Sequence, residues 1–210
     1  MTAPLRIAVL LSGSGRTFDN LVERRRDGSL PIELVGVVAS RADVRGYARA
    51  REEGLPTALI RRRDHADAAS YGVAIGAALA AWRTELAVMA GFLHLWSIPA
   101  ALQGRVMNIH PSLLPAFGGA GMHGHHVHEA VLKSGARVSG CTVHFADDRY
   151  DQGPIILQRT VPVFFEDSAD ALAARVFAEE CRAYPEAIAL FAQRRLHLVA
   201  GRVRIDPPRS

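Results

Sequence analysis

The sequence predicts an α/β protein: a mostly parallel, doubly wound sheet with an antiparallel C-terminal extension. Three observations carry this. Strand-like and helix-like segments alternate through the first half, the order that a parallel sheet with crossover helices requires. The first strand, Leu5–Leu11, is apolar along most of its length rather than alternating, as in a strand covered on both faces. In the second half two β-type runs, Val138–Phe145 and Ile155–Val163, are separated by the polar turn Asp147–Gly153, which suits an antiparallel pair.

Taken in order, Gly13-Ser14-Gly15 ends the first strand, and Phe18, Leu21 and Val22 give helical spacing over Phe18–Arg26. Ile32–Ala39 is a second strand. A helix over Ala42–Glu53 closes at Gly54, a residue suited to the left-handed position after a helix end. Thr57–Ile60 is a third strand and Ala66–Trp82 an Ala-rich helix. Leu86–Ala90 and Val106–Ile109 are the fourth and fifth strands. A Gly-rich loop at 118–124 leads into a helix around His126–Lys133; after the two β runs come a long helix over Ala169–Gln193 and a hairpin around Leu196–Ile205. The tail 206–210 carries no element and is expected to fray.

With 210 residues, 49% of them hydrophobic, the chain can bury one substantial core, so 1–210 is read as a single domain. The two cysteines, Cys141 and Cys181, have neither metal nor redox spacing, and a reducing cytoplasm is the expected setting. No segment approaches the roughly 20 apolar residues of a membrane span. Of 25 basic residues only Lys133 is a lysine, so a Walker-type lysine is excluded and a bound phosphate must meet backbone amides and guanidinium. The net charge of +4 favours anionic small molecules. It is not gathered into a basic arm interleaved with aromatics, so nucleic acid is not expected as a partner.

The most informative stretch is NIHPSLLP at 108–115. Strand alternation puts Asn108 and His110 on one face. An amide donor and an imidazole then project together near a strand's carboxyl end, where open α/β sheets place their ligands. His moves protons near neutral pH, and an Asn can donate to an oxygen that becomes negative. Acyl-type chemistry follows. Ser12–Thr17 forms a glycine turn between the first strand and first helix, with Arg16 adding charge where helix amides point outward. As a dinucleotide fingerprint it fails, because Phe18 occupies the third small position. His123, His125, His126 and His128 lack an acidic or Cys ligand at a recognised spacing, and no metal is expected.

NIHPSLLP, the glycine turn, and the run DQGPIILQ at 151–158 together resemble the folate-dependent formyltransferases. The resemblance runs from about Arg6 to about Leu198 and implies a Rossmann-like formyltransferase fold. It implies Asn108, His110 and Asp151 as the catalytic trio, with Asp151 raising the His110 pKa so that protonated His110 and Asn108 stabilise the tetrahedral oxyanion. Gly15, Arg16 and Thr17 would hold the phosphate of 5-phosphoribosylglycinamide; the family more often has a small polar residue and Asn where this chain has Arg16-Thr17. Glu180, in AEECRAYP at 178–185, would bind the glycinamide. Leu93, His94, Leu95 and Trp96, with Asn108, would receive 10-formyltetrahydrofolate, His94 standing where the family usually has Arg. A second folate-contacting Arg of the family, in the loop after the third strand, has no clear counterpart, although Arg61–Arg63 lie nearby. The phosphate site then falls to about 1–100, the catalytic and folate sites to about 101–205. The expected partners are these two small molecules, and the expected assembly a monomer or homodimer. Within the family, the methionyl-tRNA branch carries a large basic C-terminal domain for which no room is seen here. The deformylase branch carries an N-terminal regulatory domain and a different residue in place of Pro111. A non-catalytic folate- or nucleotide-binding module is the alternative from another class.

Overall fold

A computed structural model describes residues 3–208. Hydrogen bonding orders seven strands as β3-β2-β1-β4-β5-β6-β7, and two further strands form a separate small sheet. The chain folds as two compact units, one running to Met107 and the other beginning at Asn108.

In the first unit β1 (Leu5–Leu11), β2 (Ile32–Ala39), β3 (Thr57–Leu59) and β4 (Leu86–Met89) are all parallel. Ile7 to Leu11 are fully buried, so the apolar run in the sequence is that of a strand covered on both faces. Helix α1 (Arg16–Arg26) buries Phe18, Leu21 and Val22, the residues whose spacing predicts it. It starts two residues earlier than the sequence suggests. Gly15 is its N-cap, in a left-handed conformation (φ 79°), and no side chain caps it, so no Ser, Thr, Asp or Asn signal marks the start. Helix α2 covers Arg45–Glu52 rather than starting at 42. Val44 is extended and Arg41 pairs with Asp43 at 2.5 Å, which keeps 41–44 outside the helix. Gly54 follows it with φ 69°, as expected. Helix α3 (Ala68–Ala81) begins at a capping box in which Asp67 and Ser70 satisfy each other's backbone amides. Short 3-10 turns at 62–64 and 100–102 have no counterpart in the sequence reading.

α1 is tied to α2 by ion pairs. Asp19 receives Arg45 at 2.9 Å, and the nearly buried Glu53 receives Arg26 at 2.7 Å and Arg49 at 2.6 Å. The turn before α1 depends on two glycines. A Cβ on Gly15 would stand 2.6 Å from Gly46 Cα, too close for any side chain at that position.

β5 (Val106–His110) carries Asn108 and His110 at the opening of the second unit. It is followed by α4 (His125–Ser134), β6 (Val138–Phe145), β7 (Ile155–Pro162) and α5 (Ala169–Ala192). β6 and β7 pair antiparallel, with a register shift at Val143/His144 that opens the turn carrying Asp151. α5 packs on both strands and accommodates Pro185 inside its buried face. β8 (Leu196–Val199) and β9 (Arg202–Ile205) form the terminal hairpin. The tail differs in part from expectation. Asp206 is tied down, its carboxylate 2.7 Å from His197 Nε2 and its carbonyl accepting from Arg195 Nε at 2.7 Å; residues 209–210 lie outside the described residues.

Candidate active site

Asn108, His110 and Asp151 come together in the second unit. Asn108 and His110 project from β5, and Asp151 reaches them from the β6–β7 turn, where it holds a left-handed backbone (φ 56°) that Asp tolerates better than most residues. His110 Nδ1 lies 3.4 Å from Asp151 Oδ2, and Asn108 Nδ2 donates to Asp151 Oδ1 at 3.3 Å. The Gly119 amide donates to Oδ2 at 2.9 Å. The Gly-rich loop approaches this closely because it lacks side chains: a Cβ on Gly118 would lie 2.4 Å from Leu114 Cδ2 and 3.3 Å from Asp151 Cβ.

The proton positions follow from the partners. His110 Nε2 faces the Phe117 carbonyl at 2.8 Å, so Nε2 carries the hydrogen and the neutral ring leaves Nδ1 bare toward Asp151. Burial pushes the His110 pKa down; the Asp151 charge and the Phe117 carbonyl push it up without overcoming burial. Asp151 favours the charged form, as the resemblance implies, but burial of the ring outweighs it in the free protein. Burial also acts to raise the Asp151 pKa. There the neighbouring His144 and His110 rings and the Gly119 amide outweigh it and hold the carboxyl below its ordinary range.

His144, on β6, is a member of this cluster that the sequence reading missed. Its Nδ1 donates to the Phe145 carbonyl at 2.9 Å, which leaves Nε2 to accept from Asn108 Nδ2 at 3.1 Å. The Asn108 amide thus meets both His144 and Asp151, the bond to Asp151 being the longer. The available signal was a lone imidazole near the carboxyl end of a largely buried strand. A second set of bonds holds the turn after His110. Thr142 Oγ1 donates to Ser112 O at 2.7 Å and accepts from the Leu114 amide at 3.0 Å, and Ser112 Oγ donates to Ala116 O at 2.6 Å. Ser112 and Thr142 are fully buried.

Glu180 lies half-buried on α5, near enough for its charge to help raise the Cys141 thiol to about 12, an effect led by burial. Among the histidines at 123–128, His125 pairs with Asp170 at 3.6 Å, His126 with Glu129 at 3.6 Å, and His128 is buried. Among the described residues no three His, Cys, Asp or Glu side chains gather as a metal-holding set.

In the first unit Gly15 is buried at the N-terminus of α1, Arg16 is exposed in its first turn, and Thr17 is half-buried. The segment after β4 presents Leu93 at 41% exposure, with His94 and Leu95 half-buried. Trp96 departs from the ligand-lining expectation. It is 2% exposed and its ring belongs to the core. His94 packs edge-on against Tyr71 and Phe92, and burial pushes its pKa down. It borders a groove of about 520 Å³ that is also lined by Ser40, Arg41, Asp43 and Arg61–Arg63. The arginines that could not be aligned by sequence thus stand beside His94.

Comparison with known proteins shows the family. Residues 5–188 match the family described as Formyl transferase. The chain is 37% identical over 193 residues to the chloroplastic phosphoribosylglycinamide formyltransferase of Vigna unguiculata, covering 91% of this chain and 62% of that protein. It is 37% identical over 193 residues to the trifunctional purine biosynthetic protein adenosine-3 of Gallus gallus, covering 91% of this chain but 19% of that protein. It therefore spans less than two thirds of either curated relative. Among solved structures, glycinamide ribonucleotide transformylase 1 from Symbiobacterium toebii is 39% identical with a TM-score of 0.90, over 98% of this chain and 95% of that one. No described helix is long and apolar enough to cross a membrane. With the imidazole, amide and carboxylate assembled on the seven-stranded sheet and the match running through nearly all of it, the chain belongs to the formyl transferase family.

Proposed function

We propose that this chain transfers the formyl group of 10-formyltetrahydrofolate to the amine of 5-phosphoribosylglycinamide, a step of purine synthesis. The products are formylglycinamide ribonucleotide and tetrahydrofolate. The observation that carries the proposal is the cluster of Asn108, His110, Asp151 and His144, in which the Asn108 amide meets both His144 and Asp151 and the buried His110 imidazole stands 3.4 Å from the carboxylate. Such a set suits a reaction in which one nitrogen loses a proton and another gains it.

Asn108 donates to the formyl oxygen as that oxygen becomes negative, exchanging its 3.3 Å bond to Asp151 for the stronger bond to an oxyanion. His110 accepts the proton that the attacking amine gives up and returns it to the folate nitrogen that leaves. Asp151 stabilises the imidazolium in between. His144 keeps the Asn108 amide turned toward the reacting centre. Gly15, Arg16 and Thr17 hold the phosphate with first-turn amides and guanidinium, and Glu180 accepts a hydrogen bond from the neutral glycinamide amine. Leu93, His94 and Leu95 receive the pterin, while the arginine-lined groove beside His94 takes the anionic glutamyl end of the folate. Trp96 is left out of this surface. The small molecules are the partners, the assembly a monomer or homodimer, and the compartment a reducing cytoplasm in which Cys141 and Cys181, which form no disulfide, remain thiols.

A steady-state assay with 10-formyltetrahydrofolate and one acceptor at a time tests the proposal. Tetrahydrofolate should form with 5-phosphoribosylglycinamide and not with water or methionyl-tRNA. Equal release of formate in water would favour a deformylase, and binding of both ligands without product would favour a non-catalytic module.

A further inference from the structure

Ser12 sits at the end of β1, ahead of the turn before α1, and is 5% exposed. Its hydroxyl oxygen accepts from the Leu93 amide at 3.2 Å and from Ser40 Oγ at 2.7 Å, and Ser40, at the end of β2, is 3% exposed. The Ser12 amide donates to Gly91 O at 3.1 Å, and the Ser40 amide donates to Leu11 O at 3.1 Å. Three segments that leave the sheet at neighbouring strand ends are thus joined through one buried hydroxyl. The Leu93 amide is spent on this bond, so it orients the 93–95 segment instead of meeting a ligand. Ser12 lies three residues before Gly15, the N-cap of α1, and Gly15 packs against the Gly46 backbone, so the turn that Ser12 opens is tightly confined.

We propose that Ser12 is a positioning residue, untouched by either substrate, that couples the phosphate-binding turn to the pterin-binding segment, so that filling one tightens the other. This rests on the substrate assignment above. Ligand at either place orders the shared hydroxyl junction, and the second ligand then meets a junction already ordered. A buried hydroxyl with two donors is also what a purely structural serine would show; the difference is that a structural serine carries no ligand coupling.

Isothermal titration of the whole chain distinguishes these, with 5-phosphoribosylglycinamide and the unreactive folate 5,8-dideazafolate as probes. In the wild type each probe should raise the affinity of the other by about fivefold or more. In Ser12→Ala the coupling factor should fall toward one and dideazafolate alone should bind about 3- to 10-fold more weakly. Ser12→Thr, which keeps the hydroxyl, should restore the factor. Should Ser12→Ala not fold, Ser40→Ala, which removes the donor to Ser12, should lower the factor in the same direction. A coupling factor unchanged in the alanine variant, or equal to one in a wild type that binds both probes, overturns the proposal. A wild type that binds neither probe overturns the substrate assignment instead.

Discussion

The His110 imidazole stands with its bare Nδ1 3.4 Å from Asp151 Oδ2 while its Nε2 is held at 2.8 Å by the Phe117 carbonyl. A neutral ring in that orientation is ready to take a proton on the side where a carboxylate can stabilise it. The Phe117 carbonyl orients the neutral ring, and once Nδ1 takes a proton Asp151 offsets part of the cost of burying the cation.

The resting state of His110 can be read by NMR titration of its ring protons. Its midpoint should fall below the ordinary imidazole value of 6.5, because burial dominates. Asp151→Asn removes the charge that pulls the midpoint up, so the midpoint should fall further. The sign for stability follows from linkage. A histidine whose folded pKa is depressed contributes stability present above its unfolded pKa, and loses it as pH falls from about 6.5 through the folded value. Wild-type melting temperature should decline over that window, whereas a variant with no imidazole at 110 should lose that part of the decline. A midpoint above 6.5 would contradict the neutral resting state.

His144 is expected to act on turnover through Asn108. His144→Ala removes the acceptor at 3.1 Å and frees the amide to turn. Turnover should fall about 10- to 100-fold, less than the 10²–10³ of losing an oxyanion donor outright, with the Michaelis constants nearly unchanged. A variant with wild-type turnover would remove His144 from the site.

Arg16 is the departure from family pattern with the sharpest consequence. If its guanidinium meets the substrate phosphate, Arg16→Ala should weaken 5-phosphoribosylglycinamide binding by about 1.5–3 kcal/mol while folate affinity stays the same. Added salt should narrow the gap, because screening weakens a solvent-reachable pair. Equal ribonucleotide affinity in calorimetric titrations would assign the phosphate to the backbone amides alone.

Much of the fold was legible in the sequence because its signals are local. β1, β2 and β6 match the predicted ranges residue for residue, since each is a β-type run rich in Val, Ile, Leu or Phe with turn residues nearby. What escaped depends on contacts from elsewhere in the chain. The start of α1 carries no capping side chain, and that of α2 is set by the Arg41–Asp43 pair and the extended Val44. Asn108 and His110 announce themselves by sharing a strand face, but His144 joins them only once β6 is in place. The protonation of His110 could not be read from Asp151 alone, because it is settled by how deeply the ring is buried. Trp96, an apolar residue next to Leu93–Leu95, gave no sign of turning inward to the core.

The central claim is that His110 carries the proton in a formyl transfer, and turnover of 5-phosphoribosylglycinamide by His110→Ala tests it most directly. The account predicts formylglycinamide ribonucleotide formation reduced about 10²–10⁴-fold from wild type, with both substrates still bound at near wild-type affinity. Turnover above about a tenth of wild type would place the proton transfer on another group and contradict the account.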